Sequence, residues 1–171
     1  MHNEQVKYCL DTNFFIEAWN KYYSPEFCIG YWETIDELAK IGIVFITQEV
    51  KREIDQVDDN LKKWFKNKSY FVKPIDQNVQ QCLKDIYSKD ISHQYLSNNT
   101  KNRSIADPWV IAHAMAENAV VVTKEYISTS QNKQKIKIPD VCNNMGIKWI
   151  DDFDFIKDVN LTFNCKISTK E

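Results

Sequence analysis

Short, nearly uninterrupted apolar runs alternate along this chain with longer segments of helical character, and that alternation constrains the fold more than any other feature. Val6 to Leu10 predicts a first strand, broken by Asp11-Thr12-Asn13. Ile43 to Ile46 predicts a second strand, Ala119 to Thr123 a third and Ile147 to Ile150 a last one. Between them the pattern predicts helices over Phe14–Tyr23, over Ile29–Ile41 ending at Gly42, and from about Glu49 into the Trp64 region. Further helices are predicted over Asp76–Ser88, Ser104–Glu117 and Pro139–Met145, with a final one beginning at Asp151. Thr47 can cap the helix that follows it, and Ser104 with Asp107 makes a capping-box-like start ahead of Pro108. Residues 88–103 and 124–137 are polar and aperiodic, and read as surface loops.

A strand that is apolar along its whole length is buried on both faces, which a parallel sheet between two helical layers achieves. The expected fold class is therefore α/β: one domain, three layers α/β/α, around a central and mainly parallel sheet. Residues 1–160 form that domain, and 161–171 a C-terminal tail with no readable structure. The chain has 171 residues and 43% hydrophobic residues, enough for one buried core. With three glycines and four prolines it is no turn-rich sandwich. Its formal charge of −2 announces no strongly basic nucleic-acid binder, so any such role rests on local patches. Five cysteines stand apart from one another, which excludes a zinc knuckle and suits a reducing cytoplasm. The sequence carries neither a signal-peptide core nor a membrane-length apolar run, so a cytoplasmic protein is expected.

Ligands of open parallel sheets bind beyond the carboxyl ends of the strands. Asp11 directly follows the first strand, and Glu125 lies just past Val120-Val121-Val122-Thr123. On the helix after the second strand, Val50, Ile54, Val57 and Leu61 share one stripe at 100° per residue. Glu53 borders that stripe, whereas Glu49 falls further from it. Asp107 begins a segment, Ile105–Ala116, that is apolar nearly all round, so its carboxylate starts a buried helix. Carboxylates converging on one edge repel each other without a cation. Oxygen-only ligation of this kind suits Mg²⁺ or Mn²⁺, which can polarise a phosphodiester and activate water.

Four blocks of sequence carry a resemblance: Leu10-Asp11-Thr12-Asn13, Val50-Lys51-Arg52-Glu53-Ile54, Ala106-Asp107-Pro108-Trp109-Val110-Ile111-Ala112 and Val121-Val122-Thr123-Lys124-Glu125. In this order and spacing the chain resembles the PIN-domain family of nucleases, in particular small prokaryotic members, with a long insertion between Glu53 and Asp107. The resemblance implies that Asp11, Glu53, Asp107 and Glu125 hold Mg²⁺ or Mn²⁺ and form the catalytic set, with Glu53 a ligand or a base. It also implies that Asn13 and Thr123 orient these acids through hydrogen bonds. The late motif departs from the family's Thr-x-Asp by carrying Glu125, which makes Asp140 a rival fourth ligand; Asp140 otherwise caps its own helix. The implied function is a metal-dependent endoribonuclease, the toxin of a toxin–antitoxin pair, with RNA as substrate, an antitoxin protein as partner and a homodimer as assembly. The alternative is a non-catalytic PIN-like module that binds nucleic acid or protein.

For the substrate, Arg103 can reach a phosphate bidentately. Lys62, Lys63 and Lys66 interleave with Trp64, Phe65, Tyr70 and Phe71, so that bases and aromatics could meet phosphates and nucleobases. The competing reading turns those aromatics inward. Lys133, Lys135 and Lys137 form a second basic cluster beside Glu125 and Asp140.

Overall fold

The computed structural model describes residues 5–56, 60–97, 105–164 and 167. Its five strands are β1 (Tyr8–Leu10), β2 (Val44–Thr47), β3 (Val72–Lys73), β4 (Val120–Val122) and β5 (Trp149–Ile150). All pair in parallel, in the order β3-β2-β1-β4-β5. Tyr8, Cys9 and Leu10 sit in register with Val120, Val121 and Val122, and all six are buried. The central strands are thus apolar at every position because both faces are covered, as a parallel sheet requires.

The helices are α1 (Thr12–Glu17), α2 (Ile29–Lys40), α3 (Gln48–Asp55), α4 (Asn60–Trp64), α5 (Gln77–Lys89), α6 (Asp107–Ala116), α7 (Ile138–Met145) and α8 (Asp152–Asp158). One face of the sheet carries an aromatic layer. Tyr8 meets Phe155 edge-on at 5.1 Å, Phe155 meets Phe14 at 5.5 Å, and Phe15 meets Phe65 at 5.1 Å. Trp32, Trp64 and Phe71 extend this layer through further edge-to-face pairs. Such pairs add ~0.5–1.5 kcal/mol each beyond their burial. α5, α6 and α7 pack together on the opposite face. There His113 of α6 is buried, and neither ring nitrogen has a hydrogen-bond partner among the described residues.

Several local expectations hold. The Thr47 hydroxyl accepts the Val50 N–H at 3.1 Å and starts α3, and Asp151 caps α8 by accepting from the Asp154 N–H. Gly42 and Gly146 end α2 and α7 with φ of +76° and +70°, where a side chain would be strained.

Others are corrected. The helix over 14–23 is α1 followed by a wider π-helical turn, Ala18–Tyr22. The helix drawn from Glu49 to Trp64 is two helices, and Val57 of its stripe lies outside the described residues. α6 starts at Asp107 with Ala106 at its N-cap and no side-chain cap, and Ser104, expected to open the helix, lies outside the described residues. β3 was not anticipated at all. Within the expected 88–103 loop, Ile91–Ser97 form a 3₁₀ helix that buries Ser92, His93 and Leu96. The His93 Nδ1–H donates to the Ile86 carbonyl at 2.6 Å and its Nε2 accepts from the Asn144 amide at 2.9 Å. A carbonyl can only accept and an amide N–H only donate, so these two bonds select the Nδ1–H tautomer. Past α8, Phe163 of the tail stacks on Tyr23 at 5.4 Å.

Candidate functional site

The strand order reverses direction at β1: the chain winds outward through β2 and β3, then returns to the other side of β1 for β4 and β5. A sheet wound this way opens a crevice at the carboxyl ends of the two strands flanking the switch point. Asp11 follows β1 and Thr123 follows β4, so both stand at that crevice. The Asp11 backbone N–H still donates to the Val122 carbonyl at 3.0 Å, continuing the sheet's ladder and fixing where its side chain starts.

Asp11 is 1% exposed, and both of its carboxylate oxygens are held. Oδ1 accepts the Thr12 N–H at 2.7 Å and Oδ2 accepts the Thr123 hydroxyl at 3.0 Å. The Thr12 hydroxyl turns the other way and donates to Glu53 Oε2 at 2.5 Å. Glu53 Oε1 in turn accepts the Ala106 N–H at 3.1 Å, one residue ahead of Asp107. On the far side, Thr123 Oγ1 accepts the Glu125 N–H at 3.2 Å, and Glu125 Oε2 accepts the Ile138 N–H at 2.9 Å at the start of α7. One continuous network therefore runs from α6 through α3, α1 and β4 to α7. Burial raises the Asp11 carboxyl to about 7; the Thr123 hydroxyl opposes this, Glu125 raises it, the Thr12 amide opposes it, and Glu53 raises it again.

Asp107 is the first residue of α6 and is buried to 8% exposure, beside the amide that Glu53 accepts. Asp140 is engaged in structure: its carboxylate accepts the Lys137 N–H at 2.9 Å and the Ser128 N–H at 3.1 Å, so it caps α7 and pins the preceding loop. The fields of Glu53 and Glu125 reach Asp11, yet among the described residues no three acids, histidines or cysteines are arranged to hold an ion in common.

Asn13 was expected to orient the acids through hydrogen bonds. Asn13 is exposed and joins neither carboxylate among the described residues, whereas Thr12 bonds to both Asp11 and Glu53. Sequence reasoning missed Thr12 and the two backbone amides. A hydroxyl residue directly after the strand-end Asp was the available signal. Glu49, read as further from the apolar face than Glu53, is the more buried of the two at 5% exposed, and its Oε2 has no partner among the described residues. Its turn sits at the end of β2, where α1, α4 and β3 also pack against α3, so helix angle alone does not set burial there.

Lys63 and Lys66 are exposed and Lys62 half-buried, but the aromatics between them point inward: Trp64 meets Phe65 at 5.0 Å and Phe65 meets Phe71 at 5.3 Å. Arg103 lies outside the described residues. At the start of α8, Asp152 is buried and pairs with Lys124, both oxygens at 2.9 Å from the ammonium. Tyr22 and Phe153 flank that ammonium at 4.6 and 5.3 Å.

The sheet order, the buried acid at its switch point and the two helical layers define a PIN-like α/β fold. The chain is similar to the crystal structure of VapBC2 from Rickettsia felis bound to a DNA fragment from their promoter, at 16% identity and a TM-score of 0.52, covering 85% of this chain and 98% of that one. The crystal structure of FitAcB from Neisseria gonorrhoeae aligns at 14% identity and a TM-score of 0.49, over 84% and 96% of the two chains. The chain belongs to the family described as a domain of unknown function, DUF4411, whose model matches residues 8–163. No curated protein matches the sequence. Among the described residues no helix is long and apolar enough to cross a membrane.

Proposed function

We propose that this protein is a metal-dependent endoribonuclease that hydrolyses RNA phosphodiester bonds. The observation that carries the reading is Asp11, a buried carboxylate at the switch point of a parallel sheet. Threonine hydroxyls and amides link it to Glu53 on one side and Glu125 on the other. The donors are all carboxylate oxygens, which fits Mg²⁺ or Mn²⁺. An ionised Asp11, 1% exposed, also calls for a neighbouring positive charge. Asp11, Glu53, Asp107 and Glu125 would hold the ion, which supplies Lewis acidity and an activated water when bound. Thr12 and Thr123 fix the directions of the Asp11 oxygens, and α6 sets Asp107 rigidly at the start of a buried helix.

The toxin role in a toxin–antitoxin pair, with an antitoxin partner and a homodimeric assembly in the cytoplasm, belongs to the same proposal; its support is the four-block sequence resemblance and the shared fold. The lack of a three-acid grouping among the described residues favours a second reading, a non-catalytic PIN-like binding module.

Cleavage of single-stranded RNA with Mn²⁺, by the wild type and by Asp11→Asn, separates the two, with Mn²⁺ calorimetry on the same proteins. The nuclease reading expects metal binding and cleavage by the wild type and loss of both in a variant that stays folded. Cleavage retained by Asp11→Asn, or a folded wild type that neither binds Mn²⁺ nor cuts, sinks it; the latter result leaves the binding module.

A further inference from the structure

The segment Tyr126–Lys137 carries Lys133, Lys135 and Lys137 and no acidic residue, in a chain whose formal charge is −2. All three lysines are exposed. Lys7, Lys40, Lys51, Lys68, Lys124 and Lys157 each have a carboxylate within 2.9 Å. These three have no carboxylate within ion-pair distance among the described residues. The Ser92 amide lowers the Asp90 carboxyl and Lys133 adds to this only through its field; none of the three ammonium groups is held in an ion pair among the described residues.

The loop is also fastened to the candidate site at both ends. Asp140 accepts the Ser128 and Lys137 amides, and Glu125 accepts the Ile138 amide. Between those anchors the Ser128, Ser130 and Asn132 side chains accept the amides two residues ahead, at 3.3, 3.2 and 2.9 Å. This ladder orders the loop without glycine and leaves the ammonium groups free to face solvent. Beside it lies a recess of about 190 Å³ whose lining includes Ser92, Ser128, Ser130, Asn132 and Lys133. Asp140 also lines it, with its carboxylate taken up by the Ser128 and Lys137 amides; the remaining hydroxyls, amides and the Lys133 ammonium are donors suited to phosphate oxygens.

We propose that the 126–137 loop is the surface that holds the backbone phosphates of a single RNA strand leading from the carboxylate site. The inference rests on the nuclease reading for its substrate, and on charge complementarity and the two carboxylate anchors for its location. It moves the substrate surface away from Lys62, Lys63 and Lys66, whose neighbouring aromatics are spent on the core.

Phosphate contacts leave a salt signature: for single strands each contributes ~0.7 to the slope of log K against log salt concentration. The test is fluorescence anisotropy of a labelled 12-nucleotide RNA in EDTA, across 50–200 mM KCl. The proteins are the wild type, Lys133→Gln/Lys135→Gln/Lys137→Gln, and Lys62→Gln/Lys63→Gln/Lys66→Gln. The loop variant is expected to lose ~2 from the slope, and the second variant to keep it. An unchanged slope in the loop variant, loss of slope in the second variant instead, or a wild type that binds no RNA overturns the proposal. The readout needs neither metal nor cleavage. A wild type with the expected slope difference but no Mn²⁺-dependent cutting therefore removes the nuclease reading and leaves the loop assignment standing.

Discussion

His113 is buried in α6 with both ring nitrogens unpartnered among the described residues, so replacing it tests how the α5–α6 layer depends on pH. Burial lowers the imidazole from an ordinary 6.5 to about 4; Glu117 and Asp76 oppose this, and Lys73 adds to it. The folded state thus takes up the proton later than the unfolded chain does. Stability from this group is fully present above 6.5 and is lost as pH falls from there towards about 4. The full difference corresponds to ~3 kcal/mol, of which ~2 kcal/mol is lost between pH 7 and pH 5. For a domain of this size that is a fall in Tm of roughly 4–8 °C. His113→Leu fills a similar volume, removes two unpaired polar atoms and cannot titrate. Thermal unfolding followed by circular dichroism at pH 7 and pH 5 should show the variant at least as stable at pH 7 and losing ~2 kcal/mol less on acidification. Equal losses in the two proteins would refute the reasoning, because other carboxylates contribute the same amount to both.

Two further predictions follow from single hydrogen-bonding partners. Thr123→Val keeps the shape but removes the hydroxyl from Asp11 Oδ2 and from the Glu125 N–H, and should weaken Mn²⁺ binding, read by calorimetry, by about 10–100-fold while costing ~1–3 kcal/mol of stability in a protein that still folds. Asp152→Asn leaves the Lys124 ammonium, 12% exposed in its side chain, with only Glu17 at 3.9 Å, and should cost ~3 kcal/mol in urea unfolding; a loss under 1 kcal/mol would mean that the aromatic pair alone carries that charge.

The sheet was legible because its central strands are buried on both faces and so are apolar at each position: Tyr8–Leu10, Val44–Ile46 and Val120–Val122 stand out against the polar loops. β3 was not, since Val72 and Lys73 are two residues with no period to read. The Ile91–Ser97 turn hid for another reason. Its burial rests on His93, a polar residue made tolerable by Ile86 and by Asn144, 51 positions away, and no local pattern encodes such a partner. Asp11 and Asp107 could be picked out because each is an acid placed where an apolar element begins or ends. That Thr12 bonds to both Asp11 and Glu53 could not, because it depends on which way the first turn of α1 faces once packed.

The bond between Thr123 and Asp11 spans 112 positions of sequence. In a chain made from its N-terminus, Asp11, Thr12 and Glu53 emerge long before β4 exists. Until the segment around Val120–Thr123 has left the ribosome and docked beside β1, the second oxygen of Asp11 lacks its hydroxyl, and Glu125 has no fixed place. The carboxylate network is consequently completed late, by the same closure that completes the sheet, and a fragment ending before β4 carries Asp11 and Glu53 without Thr123 or Glu125.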